Sequence, residues 1–325
     1  KMRKIIEHSY LTVPYYKKMF DDLKVDYKKI KTLEDLKILP ILDKQTVNDN
    51  FDDFISEPYK NQRLIMSHTS GTTGSGFKFY ITQEALSEQW AVWWRFRRKL
   101  GIEFDTWCAN FGSKVIVPVN QTKPPFWRIN YPGKQVYFSA FHLNDEYLYS
   151  YFEEIRTRKI KWIHGFPSLI TLLATFIIKN NLKFGYTIDF VTIGAENLLP
   201  YQEKIIEHAF GTKVYQHYGL AEGVANFSQN RDGEIFIDDD FAATEILHIN
   251  GVDKVIGTNL TNYSMPLIRY DTKDIVTLEK DINGFRKITS IDGREEDYII
   301  LPNGTKVGKL DHAFKDTINF REVQL

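Results

Sequence analysis

An α/β fold is the class this sequence predicts, with helices covering a mainly parallel sheet and a small β-barrel-like part after it. Three features lead there: a helical N-terminal stretch, a long alternation of strand-like and helix-like segments, and a final region where helical periodicity stops. From Lys1 to about Gln62 apolar residues recur at helical spacing through Ile5, Ile6 and Tyr10. A turn at Pro14 follows, then Tyr15 to Leu23, and Leu33 to Leu36 running into Leu39-Pro-Ile41. Gln83 to Leu100 reads as a helix, Trp107 to Phe111 and Lys114 to Val119 as strands, and Asn144 to Arg158 as a helix. Lys161 to His164 (strand), Ser168 to Lys179 (helix), Phe190 to Ile193 (strand), Pro200 to Phe210 (helix) and Lys213 to Tyr218 (strand) continue the rhythm. In such a sheet, ligands gather at the carboxyl ends of strands. From Gly233 to about Ile291, short strands with turns at Asn250-Gly251 and Asn283-Gly284 predict a small barrel or sheet.

The stretch Thr69-Ser-Gly-Thr-Thr-Gly-Ser-Gly76, between apolar runs, is the most specific local signal. Glycine tolerates positive φ and leaves backbone N–H groups open to an anion, and Ser70, Thr72 and Thr73 add hydroxyl donors. A Walker loop requires Gly-Lys-Ser/Thr, which occurs nowhere in the chain, and Gly71, Gly74 and Gly76 have the wrong spacing for the dinucleotide fingerprint. Two readings stay open on the loop alone: a phosphate cradle or an ordinary hairpin turn.

Composition excludes several classes. At 325 residues the chain exceeds the size at which one core usually stops growing. Lys+Arg and Asp+Glu both number 42 and are interspersed, which argues against a nucleic-acid partner. One cysteine, Cys108, rules out disulfides within the chain and a cysteine-based zinc site, and points to the cytoplasm. The longest apolar run, Leu169 to Ile178, is too short to span a membrane, and the basic N-terminus has no signal-peptide core. On the Gln83–Leu100 helix, Trp90, Trp93 and Trp94 alternate with Arg95, Arg97 and Arg98. That spacing reads as an aromatic core stripe with a solvated basic face in preference to a nucleic-acid surface.

Polar motifs close the predicted strands: Gly194-Ala-Glu196, Tyr218-Gly-Leu-Ala-Glu222, Arg269-Tyr-Asp-Thr-Lys-Asp274 and Asp292-Gly-Arg294. Singly, each reads as turn chemistry. Their order after the glycine loop resembles the adenylate-forming enzymes, the superfamily of acyl-CoA synthetases and nonribosomal peptide adenylation domains. Within it the chain resembles the phenylacetate-CoA ligase branch, which includes capsular polysaccharide biosynthesis proteins. Supporting segments are His8 to Tyr16, Asp35 to Leu42, His164-Gly-Phe-Pro-Ser168, Asn262 to Tyr270 and Gly293 to Asp297.

The resemblance implies a large N-terminal adenylation domain over residues 1–291, made of the helical lead-in (1–62), an α/β part (63–232) and a β-rich part (233–291). The hinge and the start of a small α+β C-terminal domain, largely missing, would occupy 292–325. It implies attack of a carboxylate on the α-phosphate of ATP, giving an acyl-adenylate, followed by transfer to a thiol such as CoA. Thr69, Ser70, Gly71, Thr72, Thr73 and Gly74 would cradle the phosphates, with Thr73 among the catalytic residues. Glu222 would hold Mg²⁺, Gly194, Ala195 and Glu196 would line the adenine, and Tyr218 would stack on it between His217 and Gly219. Asp274 would bind the ribose hydroxyls, and Arg294 would approach the ribose and phosphate. The acid would lie against Phe141, His142, Gly165, Pro167 and Ser168, where His142 would pair with the carboxylate, act as a gate or simply be a satisfied polar residue.

Departures from the family pattern carry weight. Ser75-Gly76-Phe77 replaces the usual Lys-Pro, and Ala221 stands where a hydroxyl commonly precedes the glutamate. Asn226 to Asp232 offers no Cys or His, so no zinc is expected. Only residues 295–325 follow Arg294, and Lys306, Lys309 and Lys315 occupy no recognisable place for the small domain's lysine, so the chain reads as a fragment of a longer protein. Besides acid:CoA ligation, two readings remain: a catalytically degenerate nucleotide-binding protein, and an activating enzyme serving a sugar amine or carrier protein in surface polysaccharide assembly. Oligomeric state stays open.

Overall fold

The computed structural model describes residues 1–68, 77–280, 286–294, 298–300 and 306–308. The glycine loop, residues 69–76, the predicted turn at Asn283-Gly284, and Lys309 and Lys315 lie outside the described residues.

Elements follow in chain order. Helices α1 (Met2–Thr12) and α2 (Pro14–Leu23) flank Val13, with Pro14 at the first helical position of α2, where its missing N–H costs nothing. Short helices α3 (Leu33–Leu36) and α4 (Lys44–Asp49) are capped by Thr32, in a reciprocal capping box with Asp35, and by Asp43. Strands β1 (Ile65–His68) and β2 (Lys78–Ile81) pair antiparallel, and α5 (Gln83–Lys99) starts at the capping hydroxyl of Thr82. Next come β3 (Cys108–Gly112), β4 (Trp127–Asn130), β5 (Gln135–Ser139), α6 (Leu148–Thr157), β6 (Trp162–Gly165), α7 (Pro167–Lys179), β7 (Phe190–Ile193) and α8 (Pro200–Phe210). The remainder is β8 (Val214–Gly219), β9 (Asn226–Gln229), β10 (Ile235–Ile237), β11 (Ala242–Ile249), β12 (Val252–Asn259), β13 (Tyr270–Lys280), β14 (Arg286–Arg294), β15 (Tyr298–Ile300) and β16 (Lys306–Gly308).

The chain divides into two compact units. Unit 1 holds residues 1–103, 216–272 and 278–289, and unit 2 holds 104–215, 273–277 and 290–325. In unit 2 the strands run β7-β6-β3-β5-β4, parallel except for the β4–β5 hairpin. Phe111, Phe138, Ile163, Val191 and Ile193 from its strands, with Ile155, Ile170, Leu173 and Ile206 from its helices, form one buried apolar cluster. The β-rich strands are ordered β11-β12-β13-β14-β10-β9-β8 with β11 at an edge, so that of the two expected forms, barrel or sheet, the described residues make a sheet. The β11–β12 turn at Asn250-Gly251 has φ of 53° and 82°, the two-residue turn whose twist suits a hairpin.

Two expectations fail. Residues 114–119 form no strand, because Pro118 lacks an N–H for a ladder and Val115 and Val119 stand exposed. The hairpin β4–β5 supplies the sheet's edge instead, reversing through Gly133 and a left-handed Lys134. The basic face of α5 is solvated only in part, with Arg98 exposed and Arg97 buried. Arg95 is paired with Asp238 and Asp240, Arg98 with Glu103, and Arg97 is buried with its guanidinium over Trp94 and Trp90 at 5.0 and 5.9 Å. Nor do the tryptophans form a core stripe, since the buried residues of α5 are Ala85, Gln89, Val92, Phe96 and Arg97.

Candidate functional site

In unit 2 the parallel register brings the candidate residues to one edge. Gly112 pairs with Ser139, Phe111 with Gly165, and Gly165 with Ile193, so segments 140–142, 166–168 and 194–196 leave their strands at the same level. Close packing of backbone dictates Gly165: its φ is +151°, and a Cβ there would sit 2.0 Å from the Phe111 carbonyl oxygen. The Phe166 N–H donates to that carbonyl at 2.9 Å, and the Gly194 N–H to the Gly165 carbonyl at 3.3 Å. Ala195 is held at φ +69°, a left-handed conformation that non-glycine residues rarely adopt and that recurs at ligand sites. Pro167 begins α7, and the Ser168 N–H donates to Glu196 Oε2 at 3.2 Å, placing a carboxylate on the positive end of that helix.

Phe141 and His142 part company. Phe141 is exposed, whereas His142 is buried, stacked on Phe126 at 4.6 Å with Nδ1 2.8 Å from Ser139 Oγ. The Ser139 carbonyl accepts from the Tyr151 hydroxyl, which braces the turn. His142 Nε2 is shielded and has no hydrogen-bond partner among the described residues.

At the other candidate position in unit 2, Arg294 Nε lies 3.7 Å from Asp274 Oδ1, within ion-pair range and beyond hydrogen-bond distance. Asp274 is nine-tenths buried while Arg294 is partly exposed. Asp292, two residues before Arg294, takes hydrogen bonds from Thr277 Oγ1 and from Ser290 Oγ, which ties the Asp-Gly-Arg motif to β13.

In unit 1, His217, Tyr218 and Gly219 end β8, and Glu222 sits in the turn to β9. That turn closes through Gly223, at φ +66°, whose N–H donates to the Leu220 carbonyl. Asn259 Nδ2 donates to the carbonyls of Glu222 and Gly223 at 2.9 and 3.0 Å, and Gln89 Nε2 to that of Leu220 at 2.7 Å. Glu222 is only 6% exposed, so its carboxylate is directed by backbone already fixed from two other elements. Tyr218 stacks on Phe227 at 4.6 Å, and burial pushes the His217 imidazole down to about 4. Sequence reading missed Gln89 and Asn259; a lone amide beside Ala85, Val92 and Phe96 on the buried face of α5 is the signal for Gln89, and Asn259, at the end of β12, has none.

A Mg²⁺ bound with a nucleotide needs few protein carboxylates, because phosphates and water fill its shell. One buried carboxylate at Glu222 fits that role, and no cluster of three or more His, Cys, Asp or Glu able to hold a metal occurs among the described residues. The candidate phosphate residues 69–74, Thr73 included, lie outside the described residues.

Comparison with known proteins completes the picture. The chain shows distant homology to CapK and the phenylacetate-CoA ligases, a likeness to the adenylate-forming ligase superfamily. It is 29% identical to protein CapK of Staphylococcus aureus over 295 residues, matching 88% of this chain and 64% of CapK. It is 24% identical to the phenylacetate-coenzyme A ligase of Aromatoleum evansii over 325 residues, matching 91% of this chain and 69% of that enzyme. The chain thus spans less than two thirds of CapK's length. No family model matches it. Its fold is similar to that of 2-hydroxyisobutyryl-CoA ligase, solved with an acyl-adenylate in the postadenylation state. The TM-score is 0.71 at 16% identity, over 94% of this chain and 69% of that one. Among the described residues no helix is long and apolar enough to cross a membrane.

Proposed function

We propose that this chain forms the larger part of an enzyme that activates a carboxylic acid with Mg·ATP to an acyl-adenylate and passes the acyl group to a thiol such as CoA. The observation that carries the reading is the approach of Asp274 and Arg294 within 3.7 Å. The family pattern sends both residues to the nucleotide's ribose, one as acceptor for its hydroxyls and one as cation beside its phosphate. A charged acceptor and a charged donor bind neutral hydroxyls and phosphate oxygens more strongly than neutral groups do, and that is the support the pair gives this reading. Glu222 holds the magnesium in this reading. The strand-end residues of unit 2, Gly194 to Glu196 and Gly165 to Ser168, line nucleotide and acid, and Phe141 and His142 lie beside the acid. The glycine loop binds the phosphates, and the work takes place in the cytoplasm.

Titration of Mg·ATP and AMP into wild type and Asp274→Ala tests the site. Affinity for both should fall by about 1.5–3 kcal/mol in the variant, and equal affinities would remove Asp274. Acid-dependent pyrophosphate release by the full-length protein, lost in Glu222→Ala, tests the chemistry. Ala221 favours a second reading, because it withdraws a hydroxyl where the family places one: a nucleotide-binding protein without turnover. Nucleotide binding without acid-dependent pyrophosphate release would select it.

A further inference from the structure

Asp274 and Arg294 stand on neighbouring strands of the sheet, Asp274 on β13 and Arg294 at the end of β14. Along an extended strand, side chains alternate between the two faces, so Asp274 and Thr277, three positions apart, face opposite sides of β13. By the same rule Asp292 and Arg294, two positions apart, would share one face of β14. Yet Asp292 takes a hydrogen bond from Thr277 Oγ1, while Arg294 Nε lies 3.7 Å from Asp274 Oδ1. The two contacts are reconciled at Gly293, whose φ of +100° interrupts the alternation. Glycine adopts positive φ without a steric penalty, and one such residue in a strand re-aims the side chain beside it.

A glycine joint is loose by itself, because either sign of φ is open to it. Packing does not supply the restraint, since the Arg294 side chain is 44% exposed against 10% for Asp274. Asp292, the residue before the joint, does supply one. Both of its carboxylate oxygens are engaged, Oδ2 by the Thr277 hydroxyl and Oδ1 by the Ser290 hydroxyl at 2.6 Å. Thr277 holds it across to β13 and Ser290 holds it along β14, with an ionised acceptor that makes each bond stronger than one between neutral groups.

We propose that Asp292 is a positioning residue for Arg294: clamped by Thr277 and Ser290, it locks the Gly293 joint so that the guanidinium is delivered to the face that carries Asp274. The use of that placement rests on the reading above, in which this pair binds the nucleotide. A long, half-exposed side chain beyond a free glycine joint would have to be ordered when the ligand binds, at a cost in affinity. The clamp moves that ordering into folding, so the nucleotide meets a cation already in place. Asp292 acts through Arg294 alone in this scheme, and its loss affects only ligands that Arg294 holds.

A double-mutant cycle tests this, with AMP titrated into the full-length protein, Asp292→Ala, Arg294→Ala and the double variant. Asp292→Ala should weaken AMP by about fivefold or more in the wild-type background. Added to Arg294→Ala it should cost less than about twofold, because two residues acting through one contact are not additive. Equal losses in both backgrounds, or no loss in either, would overturn the positioning role. Thr277→Val keeps the shape and removes the donor, and it replaces Asp292→Ala in the cycle if that variant does not fold. Hydrogen exchange of the ligand-free protein reads the joint without any nucleotide. The amides of Gly293 and Arg294 should exchange faster in Thr277→Val while those of β7 match wild type, and unchanged exchange at 293 and 294 would overturn the clamp. Faster exchange in a protein whose wild type binds no AMP would keep the clamp and discard the nucleotide reading.

Discussion

The two units hold their candidate site residues still by different means. In unit 2 the candidate residues are set by backbone: parallel register aligns the strand ends, Gly165 lets two main chains touch, and an almost wholly apolar cluster lies beneath. In unit 1 they are set by buried side-chain polarity. Arg269, itself in the left-handed region, grips Glu245 with two hydrogen bonds of 2.9 Å and donates to the carbonyls of Lys37 and Leu39. Asn262 and Ser264 donate to the Tyr80 carbonyl, and the Tyr16 hydroxyl donates to the Pro266 carbonyl. The N-terminal helical segments are thereby tied to residues more than 200 positions away. An apolar core tolerates substitution with graded losses, whereas a buried ion pair fails abruptly when one partner goes.

Three experiments would break or sharpen that contrast. Glu245→Ala leaves the Arg269 guanidinium charged in a site 5% exposed, and denaturant unfolding should show a loss of about 3–5 kcal/mol. A loss below about 1 kcal/mol would mean the polar network does not hold unit 1 together. Gly165→Ala should cost about 1–3 kcal/mol, through a Cβ driven into the Phe111 carbonyl at a backbone angle alanine resists. A neutral result there would show that unit 2 does not depend on that backbone contact. The third effect is a pH slope. His217 is pushed from 6.5 in the unfolded chain to about 4 when folded, so between those values the unfolded state binds the extra proton and stability falls as pH drops. The slope from this one group reaches at most about 1.4 kcal/mol per pH unit. His217→Gln should flatten the unfolding curve between pH 6.5 and 4, and an unchanged slope would place the imidazole in a more hydrated setting.

Much of this molecule was legible in the chain as written. Phe190–Ile193 and Pro200–Phe210 fall where hydrophobic periodicity puts them, and Asn250-Gly251 makes the hairpin its residues demand, because period, capping and turn preference act over a few neighbouring residues. Motif order sufficed for the superfamily, since strand ends follow one another along the chain as their motifs do. Other features depended on partners far away in sequence. Lys114 to Val119 looked like a strand and is none, while Trp127 to Ser139 became a hairpin, because a strand exists only where a neighbour accepts its ladder. The roles of Gln89, Asn259 and Glu245 could not be read locally, since an isolated amide or carboxylate carries no mark of what it will meet. The closing of Thr277 and Ser290 on Asp292 belongs to the same class. Local physics in the sequence determined the elements and their order; only the tertiary structure decided which polar groups would share a buried space, because that choice is made by packing between distant segments.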